Sequence, residues 1–145
     1  MAALLLAFAL SAQTGKPALD GGYSILDGVY TVQQAERARA VYADQCSECH
    51  GRDLAAYENH ILTTNEFTSD WEGLPLTDLF DKIYINMSAN PPGRLRMSKP
   101  RQITRQEAAD LVAMILWFNG FPEGKTELSP KPEELRQIRF ESHRP

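Results

Sequence analysis

The pentapeptide CSECH, residues 46–50, constrains this chain more than any other feature of its sequence. Two cysteines stand three positions apart, and a histidine follows the second cysteine directly. Four kinds of site use cysteines in this way: a disulfide, a redox-active dithiol, part of a zinc site and a covalent haem anchor. Each makes a different demand on the remaining residues, so the rest of the chain discriminates between them.

Size, charge and the first residues narrow the class of protein. The chain has 145 residues, enough for one domain, and its net charge of −4 is unfavourable for nucleic-acid binding, which requires a basic surface. The apolar run from Ala2 to Leu10 is too short to span a bilayer as a helix but is typical of a signal peptide. We therefore predict a signal peptide at residues 1–12 and a periplasmic location.

The sequence predicts three amphipathic helices and no strand of note. The first begins after a capping box formed by Thr31 and Gln34 and runs directly into Cys46. The second covers residues 76–87 and is expected to be capped by Thr77. The buried face of the first helix is predicted to hold Ala35, Ala38, Val41 and Tyr42, and that of the second Leu76, Leu79, Phe80, Ile83, Tyr84 and Met87.

The third helix carries the clearest signals. A capping box of Thr104 and Glu107 precedes it, and Asn119 with the following glycine ends it. Its buried face is predicted to hold Ala108, Leu111, Val112, Ile115 and Leu116, with Met114, Trp117 and Phe118 also in the core. Long irregular segments join the three helices, which is uncommon in a compact domain. Something other than the chain is therefore expected to fill the space between them.

Only one of the four kinds of site accounts for the whole sequence. A disulfide between Cys46 and Cys49 would explain neither His50 nor the missing core. A redox dithiol follows a strand, whereas this motif follows a helix. Zinc requires four ligands, and only His60 and His143 remain besides the motif. A haem anchor fits, because two thiols can add to the haem vinyl groups and His50 can bind the iron from the proximal side.

The sequence therefore predicts an all-α fold in which three main helices and long loops wrap around one covalently bound haem c. Residues 13–30 are predicted to be an irregular N-terminal segment and residues 31–123 the haem-binding domain. Residues 124–145 are predicted to be an extension that packs on this domain, with a short helix from Pro132 to Ile138.

Three stretches resemble class I single-haem cytochromes c: AVYADQCSECHGRDL, LTDLFDKIYINM and EAADLVAMILWFNGFPEG. The likeness is greatest to cytochromes found with periplasmic PQQ-dependent dehydrogenases. The resemblance implies an electron carrier of a respiratory chain, not an enzyme. Its redox partners would be a quinoprotein dehydrogenase as donor, and an oxidase or another cytochrome as acceptor.

The resemblance also implies a sixth iron ligand and a haem contact. Met87 stands where the look-alikes have their axial methionine, and it continues the buried face of the second helix. Met97 competes with it but lies among four cations, whose desolvation beside a haem is costly. Trp71 is a candidate for donating its indole N–H to a haem propionate, or else for anchoring a loop. The basic residues Arg94, Arg96, Lys99, Arg101 and Arg105 form either a docking surface for an acidic partner or a solvated loop.

Two other functions stay open at this point. If neither Met87 nor Met97 reaches the iron, the open position would make the protein a haem-based ligand binder or sensor. Alternatively, the haem could serve as a fixed electron relay in a subunit of a dehydrogenase complex. Binding of CO to the reduced protein tests the first alternative, and co-purification of a dehydrogenase tests the second.

Overall fold

A computed structural model of the protein describes residues 22–55, 61–87 and 101–143. Within these ranges the chain forms six α-helices: α1 (Val32–Gln45), α2 (Ser47–His50), α3 (Asn65–Trp71), α4 (Leu76–Asp81), α5 (Arg105–Phe118) and α6 (Pro132–Leu135). A 3-10 helix (Ile25–Asp27) precedes α1, and a π-helix (Lys82–Met87) continues α4. The strands β1 (Tyr23–Ser24) and β2 (Ile138–Arg139) form a small parallel pair. The prediction of an all-α fold is confirmed.

Helices α1 and α5 form the centre of the molecule, because they pack against each other more extensively than any other two elements. The apolar faces predicted for both helices are confirmed. In α1 the buried apolar residues are Ala35, Ala38, Val41 and Tyr42, and in α5 they include Ala108, Leu111, Val112, Met114, Ile115 and Leu116. Trp117 and Phe118, predicted to be core residues, are only half-buried, and the guanidinium of Arg39 lies over both rings.

Both long helices begin where the sequence predicts, but only one has a complete capping box. At α5 the Thr104 hydroxyl accepts from the Glu107 N–H (3.1 Å), and the Glu107 carboxylate accepts from the Thr104 N–H (2.7 Å). At α1 the Thr31 hydroxyl accepts from the Gln34 N–H (3.1 Å). The Gln34 side chain, however, does not return to the cap, because its amide forms hydrogen bonds with the backbone of Leu128 instead.

The segment from residue 51 to 75, predicted to be a loop, contains α3, so this prediction was wrong in part. The Thr64 hydroxyl caps α3 by accepting from the Phe67 N–H (3.1 Å). Phe67 is the buried residue of this short helix, and its ring packs edge-on against Phe140 at 6.4 Å between centroids. A two-turn helix with one buried residue has too little apolar periodicity to be recognised from sequence.

The predicted cap of α4 was wrong. The helix begins at the fully buried Leu76, and Pro75 occupies the cap position. Thr77 therefore lies inside the first turn, where its buried hydroxyl has no hydrogen-bond partner among the described residues.

The N-terminal segment and the C-terminal extension hold each other in place. Residues 13–30, predicted to be irregular, contain β1 and the 3-10 helix in their described part, and β1 pairs with β2 of the extension. The predicted helix of the extension ends earlier than expected, at Leu135. The Gly124 N–H donates to the Tyr30 carbonyl (2.6 Å), and the Phe140 N–H donates to the Leu74 carbonyl (2.9 Å).

The signal peptide predicted at residues 1–12 lies outside the described residues. Among the helices of the three described ranges, none has both the length and the apolar character that crossing a bilayer requires.

Candidate functional site

The three motif residues occupy one helical turn. Helix α1 ends at Gln45, and Cys46, whose N–H donates to the Tyr42 carbonyl (2.9 Å), connects it to α2. The N–H groups of Cys49 and His50 both donate to the Cys46 carbonyl, at 3.2 and 3.0 Å. The structure thus brings Cys46, Cys49 and His50 together at the end of the long helix α1, on a rigid element rather than on a free loop.

Both thiols of the motif are free and half-buried. Burial, and to a smaller extent the neighbouring Cys49 and Asp44, raise the pKa of the Cys46 thiol to about 12. The Cys46 thiol is therefore protonated at neutral pH. Neither a disulfide nor, within the described parts of the chain, a group of three or more potential metal ligands among His, Cys, Asp and Glu is formed.

Gly51 ends the motif turn with a left-handed backbone. Its φ of 73° lies in the region that favours glycine, and its N–H donates to the Ser47 carbonyl (2.9 Å). The Gly51 carbonyl accepts a hydrogen bond from the Tyr42 hydroxyl (2.7 Å). Burial raises the pKa of the Tyr42 hydroxyl, so this group remains a hydrogen-bond donor throughout the physiological range. The backbone directly after His50 is therefore hydrogen-bonded to a side chain of α1.

The segment after Gly51 is closed by two further hydrogen bonds. The Leu62 N–H donates to the carbonyl of Leu54, a fully buried residue with a φ of 58°. The Leu62 carbonyl accepts from the side-chain amide of Asn119 (2.7 Å), which caps the C-terminus of α5. Helices α1 and α5 therefore hold opposite ends of the segment that begins at the motif.

Met87 lies at the end of the π-helix and is half-buried. The neighbouring Tyr84 stacks on Phe80 at 5.8 Å between ring centroids, and the guanidinium of Arg105 lies 4.8 Å from the Tyr84 ring centre. The Tyr84 carbonyl accepts from the Gln102 side chain (3.1 Å). These contacts join the π-helix to the start of α5. The competing Met97 and the histidine His60 lie outside the described residues.

Two of the five basic residues predicted to form a docking surface can be described. Arg101 forms an ion pair with Glu107 (2.8 Å), and its N–H donates to the side chain of Gln45 (3.0 Å). Arg105 lies over Tyr84. The ion pair with Glu107 reduces the charge that Arg101 can offer to a partner, whereas the contact of Arg105 is with a neutral ring. Arg94, Arg96 and Lys99 lie outside the described residues.

The remaining candidates lie in aromatic or exposed surroundings. Trp71 is half-buried at the end of α3, with its ring 6.2 Å from that of Phe67. Its contacts are those of an aromatic anchor, and a propionate contact remains a prediction. His143 is exposed, with Nδ1 3.1 Å from the Ser142 hydroxyl.

A shallow groove runs between α1 and the start of α5. Its walls include Arg37, Ala40, Val41, Asp44, Arg101, Thr104, Gln106, Glu107 and Asp110. None of the motif residues lines it, so we do not associate it with the site.

Sequence reasoning missed the polar groups that fasten the site. Tyr42 was assigned to the buried face of α1 and Asn119 to a helix stop, and both assignments are correct, but each side chain also holds the chain beyond the motif. A buried tyrosine hydroxyl requires a hydrogen-bond partner, which was the available signal. The identity of that partner depends on the folded structure.

The cytochrome c family model matches residues 35–118, which is more than half of the chain. The matched range extends from the first turn of α1 to the last residue of α5 and includes the CSECH motif. No curated protein and no solved structure matches the chain.

Proposed function

The chain belongs to the cytochrome c family, and from this premise we propose that it is an exported carrier of single electrons with one haem c. The family match makes it a c-type cytochrome, an electron-transfer protein that binds haem c covalently. The observation that carries the proposal for the site is the single helical turn shared by Cys46, Cys49 and His50. In our proposal the two cysteines form the thioethers, and His50 is the proximal iron ligand.

The residues of the motif fit a c-type haem. Both thiols are free, and the imidazole follows the second thiol directly at the end of the same turn. Haem c supplies a reversible one-electron couple of its iron when bound. Cys46, Leu62, Trp71 and Tyr84 are partly buried and pack at the margin of the core. We expect side chains of this kind to cover such a large apolar group.

We further propose Met87 as the sixth iron ligand, in preference to Met97, and Trp71 as a contact of a haem propionate. Met87 is supported by its half-buried position at the end of an element that is tied to α5 through Tyr84. Met87 would supply a thioether ligand in addition to the imidazole of His50, which would raise the reduction potential of the iron. An iron held by both residues would have no open position for a substrate, as expected for a carrier.

The location and the partners are proposed from the resemblance of the sequence. The donor would be a periplasmic quinoprotein dehydrogenase and the acceptor an oxidase or another cytochrome of a respiratory chain. Purification from native periplasm without detergent tests this proposal. A dehydrogenase that remains bound through gel filtration would identify a fixed relay subunit, whereas a haem protein that elutes alone and reoxidises on adding the acceptor would be a free carrier.

The experiment that tests the central proposal is a reduced pyridine haemochrome spectrum of the purified protein, with haem quantified per chain. We expect a c-type spectrum and one haem per chain. In the variant that carries both Cys46→Ala and Cys49→Ala, we expect that no haem remains attached to the chain after denaturation. Haem that can be extracted from the wild-type chain by acid and organic solvent would contradict covalent attachment. Rapid and complete binding of CO to the reduced protein would instead indicate an open iron position and a sensor.

A further inference from the structure

We propose that Tyr42 is a positioning residue for His50, which acts by fixing the peptide group between Gly51 and Arg52, one peptide beyond this histidine. The inference rests on the proposed function, because it takes His50 as the proximal iron ligand. In this role Tyr42 is not itself a ligand of the iron. Its hydroxyl instead holds the Gly51 carbonyl at 2.7 Å, one residue beyond His50.

Two hydrogen bonds fix the backbone on the C-terminal side of His50. The peptide N–H between His50 and Gly51 donates to the Ser47 carbonyl (2.9 Å), which keeps His50 inside the α2 turn. The carbonyl of the next peptide accepts from Tyr42. Because Gly51 has a φ of 73° and no side chain to restrict it, the second bond determines how the chain turns away from His50. Without it, several directions of this turn would be open to the glycine.

Tyr42 is suited to such a role because it is itself immobile. Its ring belongs to the buried face of α1, its exposed fraction is 4%, and α1 is packed along α5. Side chains that orient a metal ligand from outside the coordination sphere change affinity and electronic properties without touching the metal. Asn119 supports the same segment from α5 by holding the Leu62 carbonyl (2.7 Å). The segment that follows the motif thus has hydrogen bonds to α1 and to the end of α5.

The test uses Tyr42→Phe, which removes only the hydroxyl, and a matched control, Tyr30→Phe. Tyr30 is also a buried tyrosine whose hydroxyl donates to a backbone carbonyl, that of Phe121, at 2.6 Å. Both variants lose one tyrosine-to-carbonyl hydrogen bond of similar length, part-buried at Tyr42 and buried at Tyr30, so both should lower the denaturation midpoint. A merely structural role of Tyr42 would produce nothing more than this.

The deciding readout is the pattern of paramagnetically shifted haem methyl resonances in the NMR spectrum of the ferric protein, together with the reduction potential. The methyl pattern depends on the orientation of the axial imidazole plane. We expect Tyr42→Phe to change the order or spread of these resonances and to shift the potential, while Tyr30→Phe leaves both as in the wild type. An unchanged pattern in Tyr42→Phe, or an equal change in Tyr30→Phe, would overturn the inference.

A second variant keeps the test informative if Tyr42→Phe does not retain haem. Asn119→Ala removes the support at the far end of the segment, and we expect a smaller change of the methyl pattern in the same sense. A wild-type pattern in Asn119→Ala, combined with haem loss in both tyrosine variants, would overturn the inference. Absence of covalent haem from the wild-type protein would overturn the proposed function itself, which distinguishes the two failures.

Discussion

Met87 shows how one residue can depart from the helical pattern of its sequence. An α-helix over residues 76–87 would align Met87 with the buried Ile83, one turn earlier. In the structure the last six residues are π-helical, and the wider turn of i to i+5 bonding rotates the side chains relative to that pattern. Ile83 remains buried, whereas Met87 and Tyr84 are half-buried and Ile85 is 55% exposed. Met87 therefore lies half-buried at the edge of the core and not inside it.

Replacing Met87 by alanine tests its proposed role as the sixth ligand. We expect Met87→Ala to abolish the weak long-wavelength absorption band of methionine-ligated ferric haem. The reduction potential should fall by on the order of 0.1–0.3 V, within the ~0.8 V over which axial ligands tune haem. Absorption spectra and a redox titration provide the measurement. Met97→Ala is the matched control and should leave both properties unchanged, so the opposite pattern would assign the iron to Met97.

At the scale of elements, the sequence predicted what local signals determine. Helices α1 and α5 begin after Thr31 and Thr104 as predicted, because a capping hydroxyl acts on an N–H three residues away. The hydrogen bonds of the Gln34 side chain could not be predicted, because its partner Leu128 is 94 residues away in the chain. Helix α3 could not be predicted either, because its local apolar pattern is too short to be recognised.

The same distinction holds for the candidate site. The motif could be read directly, because Cys46, Cys49 and His50 are contiguous and fold within one turn. The hydrogen bonds that hold the segment after the turn could not, because that of Asn119 to Leu62 spans 57 residues and depends on how α5 packs against the loop. Sequence therefore predicts which groups carry the chemistry, and only the folded structure shows which groups contact the segment beside them.

The N-terminus of α5 carries the clearest pH-dependent contribution to stability. The Arg101 guanidinium, and then the Thr104 N–H, hold the pKa of Glu107 down to about 2, below the ~4.3 of an unfolded chain. A depressed folded-state pKa stabilises the protein above the unfolded value, and this contribution is lost as the pH falls from ~5 toward 2. Stability measured by urea unfolding should therefore decline over this interval.

We expect Glu107→Gln to flatten that decline and to lower stability at pH 7 by about 1 kcal/mol. The variant loses the ion pair with Arg101 but keeps a side-chain oxygen for the cap. The control is Glu134→Gln, which removes the exposed ion pair with Lys131 and should change stability by less than ~0.5 kcal/mol. An identical pH profile in Glu107→Gln and wild type would show that this carboxylate does not contribute.

At the scale of the whole molecule, the C-terminal extension contacts β1, α1 and α4, and it lies outside the family-matched range. Its strand β2 pairs with β1, its Leu128 backbone holds Gln34 of α1, and α6 packs against α4. The extension also contributes a second charged partner to α1, since Arg37 forms ion pairs with both Asp110 and Glu127. Residues beyond the matched range are thus part of the same core.

A comparison of two leucines tests whether the extension is integral to the fold. Leu135 of α6 is fully buried, whereas the Leu74 side chain is 39% exposed. Truncating a buried leucine costs the lost apolar burial and leaves a cavity, so we expect Leu135→Ala to lower the free energy of unfolding by about 2–5 kcal/mol. The same truncation at Leu74 should cost less than ~1 kcal/mol, because much of that side chain is already in water. Urea unfolding of both haem-loaded variants, followed by circular dichroism, gives the comparison.

Equal and small losses would mean that the extension is attached loosely to a domain that is stable without it. The expected difference would mean that the packing of Leu135 contributes to the stability of the whole domain, so that the family-matched range depends on residues outside it.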